Sequence, residues 1–341
     1  MRARIVWIFF VALVLLFMIS FVSNQHTEWS YGYSPKETSI LKVDVRDLNV
    51  SDYSNYSVAV IKEGYVYVNL SLLDDKEMPY DPIDHFPRNG EWPIPTNLGS
   101  NVTGVYTFNN EGLRSLEDYS IEKTNTRIIL LGDSFVWGAW VLDNETSSYY
   151  LQEKLGNQFD IFNFGIFWLN TEKEVELLQK RGLKYNPDLV IILFHSTDLE
   201  DTDRVIKLDF VVNKLVSELN ITPIEEYGIQ RRVYTALSNS QDFEEGFETF
   251  VLSPLQELSK LNIPFSLVSF PVSPALRSNL VDTSDELNFP LYFLDEEIGY
   301  DDSVEKWRVW DGHSSAYANN QIAIFLEKLI RQEFEGIENG R

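Results

Sequence analysis

The apolar positions of this chain change period twice along its length. Residues 5–22 form an uninterrupted apolar run with no charge and one serine. As a helix it would span about 27 Å, enough for a bilayer core. Arg2 and Arg4 ahead of it predict a cytoplasmic N-terminus and an exported remainder. A cleaved signal peptide is the rival, but Ile19-Ser20-Phe21-Val22-Ser23 is a poor small-x-small cleavage site. Residues 1–24 are therefore read as an uncleaved transmembrane signal anchor. Residues 23–40 are polar and read as a stalk. Beyond them the pattern alternates in Leu41-Lys42-Val43-Asp44-Val45 and in Tyr65-Val66-Tyr67-Val68-Asn69-Leu70, with the apolar Val58-Ala59-Val60-Ile61 between. Period-two alternation predicts half-buried strands. Pro79, Pro82, Pro87, Pro93 and Pro95 then mark irregular chain. Residues 25–105 are thus a stalk and a small β-containing segment, too short to stand clearly alone.

From residue 127 the pattern becomes strand–helix alternation. Strands are predicted at 127–131, 160–164, 189–194 and 265–270, and the continuous apolar run 189–194 reads as a strand buried on both faces. Between and after them, helices are predicted at 146–155, stopped by Gly156, and at 171–181, stopped by Gly182. The second opens on Thr171-Glu172-Lys173-Glu174, which fits a capping box. Ile322, Phe325, Leu326, Leu329 and Ile330 recur at helical spacing and predict a closing helix over 321–334. Such alternation implies an α/β three-layer sandwich, a parallel sheet covered by helices on both faces. Residues 199–244 are charged and exceed ordinary loop length, so they are expected to form an insertion or lid.

Gly132-Asp133-Ser134-Phe135 directly follows the first of these strands. That is where an open α/β sheet presents reactive groups. A serine hydroxyl needs a neighbouring base. Of the four histidines, His26, His85, His195 and His313, only His313 has an acid two residues before it, Asp311, and a helical segment after it. Ser134, His313 and Asp311 are the candidate nucleophile, base and orienting carboxylate. Asp133 is read as fixing the turn, Asp198 as organising a loop and His195 as structural. Trp137, Trp140, Trp168 and Trp310 lie close to these segments, where they could line a site or fill the core.

Four segments resemble the blocks of the SGNH (GDSL-type) hydrolase family. They are Arg127-Ile128-Ile129-Leu130-Leu131-Gly132-Asp133-Ser134-Phe135, Asn163-Phe164-Gly165, Phe194-His195-Ser196-Thr197-Asp198 and Asp311-Gly312-His313. Phe108-Asn109-Asn110-Glu111-Gly112-Leu113-Arg114 resembles a lead-in of extracytoplasmic members. The match runs from about residue 106 to 334, so 106–335 is taken as the hydrolase-like domain. The resemblance implies a flavodoxin-like sheet. It also implies an oxyanion hole built from the N–H groups of Ser134 and Gly165 and from the third block. There Thr197 stands where the family has an asparagine, and His195 where it has a glycine. Many members place the acid three residues before the histidine, a position held here by Trp310, but the Asp-x-His form also occurs in relatives. A threonine hydroxyl can donate, with shorter reach than an amide.

The net charge of −24 argues against nucleic acid, which needs concentrated Lys and Arg. It equally disfavours docking on anionic lipid through basic contacts. With no cysteine, thiol catalysis, disulfides and Cys-based metal sites are excluded. No His/carboxylate metal spacing and no phosphate loop is present, so no cofactor is expected. Sequons at Asn49, Asn55, Asn69, Asn101, Asn144 and Asn220 agree with export and surface glycosylation. Two readings follow. One is an exported, single-pass membrane-anchored serine esterase acting on small acyl esters or acylated carbohydrate. The other is a non-catalytic glycan-binding relative, motivated by Thr197. An O-acyltransferase lies between them.

Overall fold

The computed structural model describes residues 40–44, 59–62 and 65–69, some positions between 72 and 94, and then 102–217, 223–238 and 242–338. The expected anchor over 1–24 lies outside the described residues, as do Asn49, Asn55, Asn101 and Asn220 of the sequons. Among the described residues no helix is long and apolar enough to cross a membrane. Asn144 is exposed.

Strands β1 (Ile40–Asp44), β2 (Ala59–Lys62) and β3 (Tyr65–Asn69) form an antiparallel sheet in the order β1-β3-β2. A second antiparallel pair joins β4 (Gly90–Pro93) to β5 (Val105–Phe108). Next come β6 (Thr126–Gly132), β7 (Phe159–Gly165), β8 (Leu189–Phe194), β9 (Phe265–Ser269) and β10 (Leu291–Phe293). These five make one parallel sheet in the order β10-β9-β8-β6-β7. Counted within that sheet, the order is the flavodoxin-like 2-1-3-4-5.

The helices are α1 (Ser134–Trp137), α2 (Ser147–Leu155), α3 (Thr171–Leu177), α4 (Thr202–Ser217), α5 (Pro223–Ser238), α6 (Phe243–Phe247), α7 (Ser253–Ser259), α8 (Pro274–Leu287), α9 (Leu294–Glu297) and α10 (Ala316–Glu338). On one face of the sheet Ile128, Leu130, Ile161, Ile191, Leu193 and Val268 pack with Leu151 and Leu155 of α2 and with Ile322, Leu326 and Ile330 of α10. α3 covers β6 and β7 and packs on α7. Every residue of β8 and β9 is buried, as a sheet covered on both faces requires.

Three local expectations change. Asn170, not Thr171, caps α3, because its side-chain oxygen accepts the Lys173 N–H at 3.0 Å. Glu174 is therefore no capping-box partner; it lies inside the first turn and is fully buried. The helix continues past Leu177 as a π-turn, Leu178–Gly182. α10 starts at Ala316, ahead of the apolar spacing that marks its middle, and its Asn319 side chain donates to the Glu145 carbonyl at 3.0 Å. β10 and α8 carried no clear pattern.

The N-terminal strands and the expected insertion share one core. Leu41, Val43, Ala59, Val66 and Val68 pack against Val205, Leu208, Val212 and Leu215 of α4 and Ile229, Val233 and Leu237 of α5. Alternation puts one apolar face on the small sheet, and α4 and α5 supply the surface that buries it. Arg232 of α5 donates to the Asp44 carbonyl at 3.0 Å.

Candidate active site

The sheet order reverses at β6: β7 lies on one side and β8 on the other. The crevice at the carboxyl ends of strands opens at such a switch point. Ser134 is the first residue of α1, two residues past the end of β6, and is buried. Asp133 caps α1, its Oδ1 accepting the Phe135 N–H at 2.9 Å. His313 Nε2 lies 2.7 Å from Ser134 Oγ, and His313 Nδ1 lies 2.9 Å from Asp311 Oδ2. Asp311 Oδ1 accepts the His313 backbone N–H at 3.1 Å. The two-residue spacing thus acts as an Asx-turn, placing one carboxylate oxygen on the backbone and the other on the ring. Gly312 between them has φ of 107°, a conformation that favours glycine. Burial works to raise the Asp311 carboxyl, but hydrogen bonds and charge from His313 and a bond from Trp140 hold it below the usual range.

The other two oxyanion groups expected from the resemblance are engaged within the protein. The Gly165 N–H donates to Asn163 Oδ1 at 2.9 Å. A Cβ at Gly165 would sit 2.2 Å from the Trp137 nitrogen and 2.6 Å from the Val136 carbonyl carbon. Glycine is needed there so that the end of β7 can approach α1. Asn163 is buried and satisfied, donating to the Val136 carbonyl and Ser148 Oγ, both at 3.0 Å. Thr197 Oγ1 donates to Asp133 Oδ2 at 2.8 Å and lies 2.7 Å from His195 Nδ1. A hydroxyl has one proton, and here Asp133 takes it. Thr197 therefore braces the nucleophile turn. Thr197→Val is expected to lower the unfolding free energy by about 1–3 kcal/mol, because Asp133 Oδ2 loses its donor, and kcat by less than about tenfold. Denaturant unfolding beside steady-state kinetics checks this. A hundredfold fall in kcat at unchanged stability would place the hydroxyl on the oxyanion instead.

Phe135 separates the two histidines of this edge. Its ring stacks on His195 at 4.2 Å between centroids and lies 4.9 Å from His313. Burial lowers the His195 imidazole, which favours the neutral form and agrees with a structural role. Asp198 Oδ2 accepts the His195 N–H at 3.2 Å and organises the loop after β8. Behind this loop Asp198 and Glu174 are both fully buried, and neither Glu174 oxygen has a partner among the described residues. Burial, and secondarily neighbouring carboxylates, push both carboxyls well above their ordinary range. The folded chain thus holds protons there more tightly than the unfolded chain does. The destabilising contribution is absent below the unfolded pKa of about 4.3 and grows as pH rises above it. Glu174→Gln should raise stability by about 1–3 kcal/mol at pH 8 and leave it nearly unchanged at pH 4. Equal gains in thermal midpoint at both pH values would refute this.

Arg114, in the lead-in segment, holds the loop after α1. It is buried and donates to Asp143 Oδ1 at 2.8 Å and to the carbonyls of Trp137 at 3.0 Å, Val141 at 2.6 Å and Gly138. Its guanidinium also lies over the rings of Tyr106 and Trp137. This loop carries Trp140, whose indole N–H donates to Asp311 Oδ2. Trp140 and Trp168 both have positive φ, 63° and 68°. A left-handed tryptophan costs on the order of 1–3 kcal/mol, and such strain clusters at functional sites. Trp137 is buried in the core against Tyr106, Phe108 and Phe167. Trp310 packs edge-on against Trp140 at 5.2 Å, and Trp168 packs on Tyr234 of α5 at 5.3 Å; both tryptophans are partly exposed. The Trp140 contact had no sequence signal, because 171 residues separate it from Asp311. Among the described residues no cluster of three or more His, Cys, Asp or Glu is placed to hold a metal ion.

No family model and no curated protein matches the chain. It is similar in structure to an acetyl xylan esterase, AlAXEase, at 16% identity, covering 60% of this chain and 99% of that one with a TM-score of 0.42. It is also similar to the psychrotrophic esterase EstA from Pseudoalteromonas sp., at 13% identity, 62% and 100% coverage and a TM-score of 0.42. A third likeness is to the native aryl esterase of M. smegmatis, at 15% identity, 61% and 99% coverage and a TM-score of 0.36.

Proposed function

We propose that the chain is a serine-type carboxylic ester hydrolase of the SGNH kind, acting on small acyl esters, including O-acyl groups on carbohydrate. The observation that carries this reading is the unbroken line Ser134–His313–Asp311, with both hydrogen bonds at 2.9 Å or less, at the switch point of a parallel sheet. In the first half-reaction His313 Nε2 takes the Ser134 proton as Oγ attacks the acyl carbon. It then gives that proton to the departing alkoxide, leaving an acyl-serine. In the second half-reaction His313 takes a proton from water, the resulting hydroxide attacks the acyl carbon, and the proton returns to Ser134. Asp311 holds the imidazole in the tautomer this requires. The Ser134 N–H, at the start of α1, has no acceptor among the described residues and faces no competitor for an oxyanion.

A second reading, a glycan-binding protein without turnover, is favoured by one observation. The Gly165 N–H and the Thr197 hydroxyl are both occupied. Incubating the full chain with short p-nitrophenyl esters, beside Ser134→Ala, separates the two. Turnover equal to that of Ser134→Ala would remove the hydrolase proposal and put the binding reading first.

A further inference from the structure

We propose that Trp140 is a positioning residue that holds Asp311 through its indole N–H and so sets the orientation of the His313 imidazole. The inference rests on the hydrolase reading for its consequence in turnover, but not for its geometry.

Asp311 Oδ2 receives two donors, His313 Nδ1 and Trp140 Nε1, while Oδ1 takes the His313 backbone N–H. All three come from fixed directions, so the carboxylate has little freedom to rotate. Without Trp140, both remaining donors would belong to His313 and would move with it. The indole is an anchor outside the Asp311–His313 loop.

Trp140 is itself held from several sides. Its backbone N–H donates to the Tyr106 hydroxyl at 3.2 Å. Arg114 binds the carbonyls on either side of it, at Gly138 and Val141. Trp310 packs on its ring. Its left-handed backbone is a conformation that a bulky side chain avoids unless the surroundings impose it. Those constraints turn the ring toward Asp311. A chain of contacts therefore runs from the lead-in segment through Arg114 and Trp140 to Asp311, His313 and Ser134.

Several other charged or titratable groups lie around this pair. Tyr106, Arg114 and Asp143 are on the side of the lead-in and the loop after α1. Across Phe135 lies His195, on which the charges of Asp133 and Asp302 act. Among the described residues, the side-chain donors to Asp311 are His313 and Trp140.

The test is Trp140→Phe in the full chain, which keeps an aromatic ring against Trp310 while removing the donor along with part of the ring. Carboxyl 13C NMR should show the Asp311 titration midpoint rising by about half a pH unit or more, because a donor to the charged form is lost. In turnover, kcat should fall about tenfold with KM unchanged. A purely structural role would lower stability and leave the Asp311 midpoint in place, and that result would overturn the proposal. If the variant does not fold, the wild-type chain decides. The indole N–H resonance of Trp140, assigned through its contacts with Trp310, should shift as Asp311 is protonated, and a flat resonance would overturn the proposal. Absence of Ser134-dependent turnover would sink the hydrolase reading alone, since the Asp311 titration and the indole resonance do not depend on it.

Discussion

Ser134→Ala, His313→Ala and the double variant are all expected to fall to the same floor, roughly 10^4–10^6-fold below wild type in kcat. The reason is that the two side chains act as one unit. Ser134 Oγ and His313 Nε2 are 2.7 Å apart, and in the proposed mechanism the proton leaves as the oxygen attacks. Removing the serine leaves the base nothing to activate. Removing the histidine leaves a protonated, feeble nucleophile. The second substitution then has nothing left to remove. Asp311→Asn should lose somewhat less, about 10^4-fold, because its amide offers the ring a donor where an acceptor is needed. Steady-state kinetics on one short-chain ester measures all four. If the single losses multiply in the double variant, the groups act independently and the triad assignment fails.

Arg114→Leu is expected to lower the unfolding free energy by about 3–5 kcal/mol. The substitution leaves Asp143 without its buried cation and removes the donor that the carbonyls of Trp137, Gly138 and Val141 share. A buried group stripped of its partner bears the full cost of its lost hydration, well above the net worth of the bond. Arg114→Lys keeps the charge but not the planar fork, and cannot reach three carbonyls and a carboxylate together, so it should recover only part of the loss. Burial lowers the Arg114 guanidinium and Asp143 opposes this, in keeping with a cation whose place in the interior depends on its partner. Denaturant unfolding checks the prediction, and a loss below about 1 kcal/mol would show that the loop holds itself.

Much of the parallel sheet was legible because its signal is local. Apolar runs such as residues 189–194 require burial on both faces wherever they occur, and the structure puts β8 at the centre of the sheet. The Asp-x-His spacing likewise acts at short range, through the Asx-turn that Gly312 permits. Where neighbouring signals compete, the local pattern does not decide between them. Asn170 and Thr171 are both good caps, and only the backbone at Asn170 decides between them. β10, three residues long and preceded by Pro290, was too short for its period to register.

Two of the three expected oxyanion groups, Gly165 and Thr197, meet other partners for a different reason. Residue type says what Gly165 and Thr197 can do, not what they meet. Gly165 is glycine because α1 lies against it, and its N–H goes to Asn163. Thr197 follows β8, yet its proton goes to Asp133, 64 residues earlier in the chain. A hydrogen bond is spent on the acceptor that the fold brings nearest, and no pattern along the chain announces it.

Periodicity and short spacings were enough to place four of the five strands of the central sheet, the serine at the end of β6 and the paired Asp311 and His313, because each depends on residues within a few positions of one another. Packing decided the rest. It joined β1–β3 to α4 and α5 in one core, buried Glu174 beside Asp198, and set Trp140 against Asp311. Those contacts link residues from 24 positions apart, Glu174 and Asp198, to 188 apart, Asp44 and Arg232. They form only when the apolar faces that carry them are buried together, a condition on the whole folded chain that no local stretch contains.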